Sequence, residues 1–423
     1  MKLMELNDKS FDFFTKEYQI KNFYQTSSYG ALMSKHGFFP MYLGLIDDNK
    51  IIAATLLLVS SYKGLINKIN YAYSPSGFLI DYNNYDLLKT FTTLIKNYLK
   101  NKGFIFLKID PPIIYQKRDN KGNIIENNID NKWIIDNLKS IGFNHLGFNT
   151  YFESLKPRWN MVIKVTSSAD RLFLKFDKEN KTKIKRALNI GVNTYKGNST
   201  DIEYFYKFIE KKQLRSLDYY KDLYKIFHDN NMCELFIAKI ETSTFVKYAK
   251  EMYETELINN SNINNKLQIN INNNQHKVIL DSKMSSDKLL AIYKKDLDTA
   301  NKLIEEYPNG VVIGGALIIT YGNEIIFLID GFDNKFNNFN SNNLLKWKIM
   351  EEYIKKGYIN INLNGITGDF NKDNKYYGLY DFKSKFASEI VEYIGEFDLI
   401  INQTSYAMYA KGISLKPMPE IKK

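Results

Sequence analysis

The sequence predicts an α/β fold of two similar units in tandem, with a pair of helices inserted into the second. Three observations carry that expectation. Tyr98–Leu107 and Tyr353–Ile361 are nearly the same segment, one residue apart in length, and each joins the end of an amphipathic helix through glycine to a strand. A hairpin pattern precedes each copy. Between the copies Leu290, Tyr293, Leu297, Ala300, Ile304 and Tyr307 recur at three- and four-residue spacing, the seam of two packed helices.

In chain order, residues 10–20 read as a helix. Met41–Ile46 and Ile51–Ser60 read as strands hinged at Asp47-Asp48-Asn49-Lys50. The loop Tyr73-Ser74-Pro75-Ser76-Gly77 leads into Phe78-Leu79-Ile80. Residues 84–102 then place Leu88, Phe91, Ile95 and Tyr98 on one helical face. The dense apolar strand Phe104–Ile109 ends in Asp110-Pro111-Pro112, and a short helix near Trp133–Ile141 leads to Gly142 and a last strand. In the second unit Val311–Thr320 and Glu324–Asp330 form a hairpin across Tyr321-Gly322-Asn323. Leu344–Lys356 is a helix and Tyr358–Leu363 a strand. The units therefore span 1–155 and 156–241 with 308–423. The arm spans 242–307, with Phe245, Tyr248, Met252 and Thr255 on its first helix and an Asn-rich tip over Asn259–Asn274. Asp110 and Asn364 follow the equivalent strands, one per unit, and α/β sheets bind ligands beyond their strand ends.

With 423 residues, 44% hydrophobic and 15% aromatic, the chain fills more than one core and is not disordered. Its net charge of +11 favours an anionic partner: RNA, a phosphorylated substrate or an anionic membrane surface. Cys233 is the only cysteine, which excludes an intramolecular disulfide and a multi-cysteine metal site; it reads as filling for its strand. His36, His145, His228 and His276 lack metal-ligand spacing. Met1–Ser10 carries no apolar signal segment, and the apolar run Ile51–Val59 is too short to span a bilayer. A cytoplasmic protein, with membrane contact at most peripheral, is expected.

The stretch from Asn364 to Ile400 reads as a site. Gly365, Gly368 and Gly378 are expected to supply positive backbone dihedrals and close approach. Phe382 and Lys383 offer a stacking face beside a positive charge, a pairing suited to a nucleotide or phosphate. Asp110, fixed by two prolines, is placed to orient or deprotonate an attacking amine, or to form a turn. Lys35 is a candidate phosphate contact or a solvated lysine. Lys183 and Arg186 belong to a basic helix, also containing Lys175, Lys178, Lys181 and Lys185, that is either solvated or tracks an RNA backbone. Arg215 and Tyr219 lie four apart, one helical turn, and match a diphosphate or carboxylate.

Taken in order, several segments resemble the Fem/MurM-type (FemABX) aminoacyltransferases that build peptidoglycan cross-bridges. They are Phe23-Tyr24-Gln25, Tyr73–Phe78, Leu107–Pro111, Pro157–Val162, Lys183–Ala187, Gly191-Val192, Arg215 with Tyr219-Tyr220, and Gly378–Lys383. The resemblance implies two acetyltransferase-like (GNAT) domains, the second carrying a coiled-coil arm. It implies transfer of glycine, serine or alanine from aminoacyl-tRNA to the stem peptide of a lipid-linked or UDP-linked muramyl pentapeptide. By the same resemblance Lys35, Arg215 and Tyr219 hold the acceptor's phosphate–sugar part and Asp110 lies near its stem peptide. Phe382 and Lys383 meet the 3′ end of the tRNA, with Lys383 also stabilising developing charge. An aminoacyl ester is already activated, so neither cofactor nor metal is required.

Two departures stand out: Pro75-Ser76-Gly77-Phe78 lacks the basic residue of a Pro-Arg-Gly-Pro-like loop, and Asp330-Gly331-Phe332-Asp333 replaces a Tyr-Gly-Ser type of turn. Two alternatives stay open at this point. One is an acetyltransferase-like enzyme using acyl-CoA, against which no Gly-rich pyrophosphate loop is evident. The other is a non-catalytic scaffold that binds tRNA or partner transferases. The arm is also a candidate for homo- or hetero-oligomer formation.

Overall fold

The computed structural model describes residues 1–63, 68–126, 129–211, 215–268 and 273–413. The chain opens with β1 (Lys2–Glu5), α1 (Asp8–Glu17) and α2 (Ser27–Lys35), followed by the meander β2 (Phe39–Asp47), β3 (Lys50–Lys63) and β4 (Lys68–Ser74). Asp48 and Asn49 turn the first hairpin with φ of 45° and 60°, the pair of left-handed residues that a two-residue loop demands. α3 (Tyr85–Asn101), capped by Asn84, then crosses to β5 (Phe104–Ile109), which pairs parallel with β4. β6 (Ile114–Arg118), α4 (Lys132–Ser140) and β7 (Phe143–His145) follow.

The second half runs β8 (Trp159–Lys164), α5 (Ala169–Lys175), α6 (Lys178–Asn189), β9 (Val192–Gly197), α7 (Asp201–Ile209), α8 (Leu217–Asp229) and β10 (Cys233–Ile240). After α9 (Thr242–Leu267) and α10 (Asn273–Glu306) come the hairpin β11 (Val311–Tyr321) and β12 (Glu324–Phe332), then α11 (Ser341–Lys355) and β13 (Asn360–Ile366). β13 pairs parallel with β12, so each repeated segment is the crossover into its sheet's one parallel strand pair among the described residues. The chain closes with α12 (Tyr377–Ser384), β14 (Glu389–Tyr393), β15 (Phe397–Ile400) and α13 (Gln403–Ile413). The expected mixed α/β architecture with two sheets is present. β1 and α2 are elements that the sequence pattern did not reveal, and α1 begins and ends before the expected 10–20.

The strand order holds the principal surprise. The first sheet runs β1-β2-β3-β4-β5-β15-β7 and the second β6-β14-β8-β13-β12-β11-β10-β9. Each half thus lends a strand to the other: β6 leaves the first half to pair with β14, and β15 returns to lie between β5 and β7. The two crossings touch, since the amide of Ile394 donates to the carbonyl of Ile113 at 2.9 Å.

α9 and α10, the two helices of the expected arm, lie against each other. Near the body the seam is apolar, with Phe245, Ala249 and Ala300 buried. Farther out it turns polar. Glu256, Asn260 and Ser286 are buried there, and the Asn260 amide donates to Ser286 Oγ (3.0 Å) and Asp287 Oδ1 (2.8 Å). Residues 269–272 of the Asn-rich tip lie outside the described residues. Cys233 is buried in the core, where desolvation pushes its thiol pKa well up, as suits the expected packing role. Among the described residues no helix is long and apolar enough to cross a membrane.

Gly395 sits in the return crossing with φ of +95°, and a Cβ there would approach His145 Nε2 at 3.2 Å. Gly395→Val should destabilise the protein by about 1–3 kcal/mol through forced backbone strain. Urea unfolding at fixed pH checks this, and an unchanged midpoint would show that the crossing tolerates a side chain.

Candidate active site at the seam

A cleft of about 250 Å³ lies where the two crossings pass, lined by Tyr24, Asp110, Lys156, Glu324, Asn364 and Glu396 among others. Pro111 and Pro112 line it too, and they hold the chain extended as it leaves β5. Asp110 is therefore presented at the strand end rather than drawn into a helix. Its carboxylate is well occupied. The Tyr73 hydroxyl donates to Oδ2 at 2.7 Å and the Ser76 amide to Oδ1 at 2.5 Å. Ser76 reaches it because Ser76 and Gly77 both have positive φ, 62° and 67°, and a Cβ at Gly77 would strike Pro111. Lys156 Nζ stands 3.3 Å from Asp110 Oδ2, donates to Ser76 Oγ at 2.7 Å and lies 4.0 Å above the Tyr24 ring. Burial first, and then the neighbouring Asp110 carboxylate, push the Tyr73 phenol far above its ordinary range, so it remains a donor.

On the first-half side, Lys35 pairs with Asp222 at 2.7 Å, and His36 Nε2 lies 3.2 Å from the same carboxylate. The His36 ring meets Tyr219 edge-on at 5.1 Å, and the Arg215 guanidinium lies 4.7 Å over the Tyr219 ring. Arg215 is not on the helix that the four-residue spacing suggested: α8 starts at Leu217, and Ser216 caps it through the Tyr219 amide. The pair meets because the cap turns Arg215 back over the first turn. Tyr24 links this patch to the cleft: besides burial, Tyr219 and Asp110 raise its pKa while Arg215 opposes them.

Asn364 lines the same cleft, but not from beyond a strand as expected: β13 runs on to Ile366, and Asn364 sits at its bulge. Lys383 does not line it but sits behind. Its ammonium donates to the carbonyls of Gly365 (2.7 Å) and Asn364 (3.1 Å). Burial, and next the nearby Lys346, bring the Lys383 pKa down to about 7, with Asp330 opposing. Lys346 is itself buried, ion-paired with Asp330, and 5.8 Å from the Phe382 ring. Phe382 packs on Phe386 at 5.4 Å.

The glycine expectation is only half met. None of Gly365, Gly368 and Gly378 has positive φ; Asn364, at 67°, takes the left-handed turn instead. Close approach holds at Gly365, where a Cβ would strike Pro157, and at Gly368, where it would strike Trp159. Gly378 has open space around it. On α6, Lys183 pairs with Glu179 at 2.5 Å, and Arg186 Nη2 donates to both carboxylate oxygens of Asp296 on α10 at 2.9 and 3.1 Å, tying α10 to α6.

Several cleft residues escaped the sequence reading. Lys156 is one. Another is Arg158, which is buried, ion-paired to Glu392 and 4.6 Å from the Phe148 ring. The floor is a third, made of Asn160, Ile326, Asn362, Tyr393 and Glu324. Glu324 is largely buried, and desolvation raises its pKa to about 7 while a hydrogen bond from Asn362 opposes the rise. A signal was present: Asn360, Asn362 and Asn364 alternate with Ile361 and Leu363. The apolar face of that strand fills the core, while its other face carries amides where a solvated strand would carry charges.

Two interlocked sheets with a polar cleft at their seam define the class of protein. The chain belongs to the FemAB family, whose model matches residues 6–411. It is 26% identical to the aminoacyltransferase FemA of Staphylococcus epidermidis over 418 residues, 97% of this chain and 98% of that one. To FemA of Staphylococcus aureus it is 26% identical over 417 residues, 97% of each chain. The crystal structure of FemX shares the fold, with a TM-score of 0.74 at 22% identity, covering 96% of this chain and 99% of that one.

Lys383 gives a stability prediction. Its folded pKa of about 7 lies below the ordinary lysine value, so the fold prefers the neutral amine. That preference stabilises fully above the ordinary value and is lost as pH falls towards about 7. Lys383→Met should therefore gain on wild type as pH falls from about 10 to 7, at up to about 1.4 kcal/mol per pH unit. Urea unfolding of both proteins across that range measures it, and a pH-independent difference would mean that the amine is charged throughout.

Proposed function

We propose that this protein takes an amino acid from aminoacyl-tRNA and joins it to an amine on the stem peptide of a muramyl precursor, lipid-linked or nucleotide-linked. It acts as an aminoacyltransferase of peptidoglycan bridge synthesis. One observation carries the reading: in a FemAB chain, Asp110 just past β5 and Asn364 at the bulge of β13, one from each half, line a single cleft. Such a site suits a reaction that aligns two large substrates and needs no covalent intermediate. Holding amine and ester carbonyl in register supplies most of the acceleration, on the order of 7–11 kcal/mol where alignment is good.

The residues divide by side. Lys35, Arg215 and Tyr219 form a cationic, aromatic patch suited to the acceptor's phosphate and sugar. Asp110, held by Tyr73, Ser76 and Lys156, orients the stem peptide. Lys383 braces the Asn364-Gly365 turn from behind, and with Phe382 it supports the 3′ end of the tRNA. Lys183 and Arg186 border the path of the RNA backbone, and the excess positive charge of the chain favours that partner and an anionic membrane face.

The test is transfer of radiolabelled glycine, serine or alanine from charged tRNA to lipid-linked and UDP-linked muramyl pentapeptide, with a ribonuclease-treated control. Label in the precursor that ribonuclease abolishes is expected. Arg215→Ala should raise KM for the acceptor with kcat little changed, and Lys383→Met should lower kcat about 10²-fold. A folded protein that binds tRNA yet labels neither precursor would overturn the reading.

A further inference from the structure

The cleft holds three carboxyl groups, and two are spoken for. Asp110 accepts from a phenol and an amide and faces Lys156. Glu396 accepts the Leu155 amide at 2.7 Å and stands 3.7 Å from Lys108. Glu324, at the start of β12 on the cleft floor, has only the Asn362 side chain as hydrogen-bond partner among the described residues. It also borders a second, adjoining depression that it shares with Lys21, Gln19, Gly322 and Asn323. One carboxyl group thus has lone pairs to spare on the reaction side and a solvent-facing side behind it.

We propose that Glu324 is the catalytic base, taking the proton from the acceptor's ammonium inside the cleft and passing it to water through the adjoining depression. The inference rests on the aminoacyl-transfer reading above. The chemistry balances. The acceptor ammonium gives one proton to a Glu324 oxygen, and the freed lone pair attacks the ester carbonyl carbon of the aminoacyl-tRNA. The C–N bond forms, the C–O ester bond breaks, and its electron pair leaves with the ribose oxygen. That oxygen takes the second proton from the attacking nitrogen, so one proton in total leaves the site by way of Glu324.

The surroundings fit a base that works near neutrality. A carboxylate too exposed would hold a proton too weakly to take one from an ammonium, whereas burial brings Glu324 close to the working pH. Asn362 on β13 keeps the ionised form accessible. Tyr393 on β14 faces it as a neutral phenol, because burial, and then Glu324 itself, raise its pKa. Tyr321 of β11 and Asn360 of β13 flank it through the adjoining depression, and Lys21, in the segment after α1, is the cation on that side. Lys156, Arg158, Asp110 and Glu396 stand elsewhere in the cleft, each held by partners of its own.

The experiment is the pH dependence of transfer by wild type and Glu324→Gln, with both substrates saturating. Wild-type kcat should fall as pH drops through about 7; the variant should lose about 10²-fold or more in kcat and show no such limb. KM for the acceptor should change little. Folding is read separately. Because the Glu324 pKa is raised on folding, its neutral form stabilises fully below the ordinary carboxylate range, and that contribution is lost as pH rises through about 7. The isosteric Gln variant should therefore gain thermal stability over wild type between pH 5 and 8. A Gln variant with wild-type kcat and an unchanged acid limb overturns the proposal while leaving the transfer reading intact. Absence of transfer by wild type would overturn the reading itself, and with it this inference.

Discussion

The reciprocal exchange of β6 and β15 is the constraint on which the rest of the molecule depends. β15 lies between β5 and β7, and β14 lies between β6 and β8, so each sheet is incomplete without chain from the other half. Two crossings joined by a backbone hydrogen bond fix the distance between the sheets. The crossings supply part of the cleft lining, Asp110 to Pro112 between β5 and β6 and Gly395-Glu396 between β14 and β15. A site of this kind keeps its geometry without a substrate, because widening it means breaking ladder hydrogen bonds rather than bending a linker. For a reaction whose main requirement is alignment, that rigidity is the useful property.

The electrostatics follow from the same packing. Two cations of the cleft wall are balanced at short range: Lys156 by Asp110, and Arg158 by Glu392, which also holds Arg118 at 2.6 Å. The two groups near the floor and behind it are instead pushed toward neutrality by burial, Glu324 upward and Lys383 downward, each to about 7. With Asn160, Asn362 and Asn364 around them, the floor is amide-rich and weakly charged. The cationic patch at Lys35 and Arg215 is separate and is linked to the cleft through Tyr24.

How much of this was legible depended on whether the signal was local. That Asp110 and Asn364 belong together was readable from the repeated helix–strand segment, and both line one cleft; that β13 runs on past Asn364 through a bulge was not. The hairpin at Asp48-Asn49 was readable from turn chemistry alone. The strand exchange was not: β6 and β15 carry ordinary strand patterns, and nothing in a strand's own sequence names its neighbour. Glu324 was missed for a related reason, since a carboxylate just after a Gly-Asn turn looks solvated until the other half of the molecule covers it. The glycines near 365 misled because close approach and positive φ are separate uses of a missing Cβ; here the contacts needed the first and Asn364 took the second. Arg215 was placed on a helix because a spacing of four was read without its cap.

The arm shows the same limit of periodicity. Its seam is apolar only near the body, and beyond Met252 it passes to Glu256, Asn260 and Ser286, joined to Lys283 and Asp287 by hydrogen bonds. Buried polar contacts of this kind add little net stability but specify which residues face each other, because any slip leaves donors unpaired in a dry seam. Leu257, Ile258, Val278 and Met284 meanwhile point outward. The pairing of α9 with α10 is thus set by apolar packing near the body and by hydrogen-bond matching farther out. Arg186 on Asp296 fixes the junction to α6. One cation of α6 is thus committed to α10, while Lys183 pairs with Glu179 of its own helix.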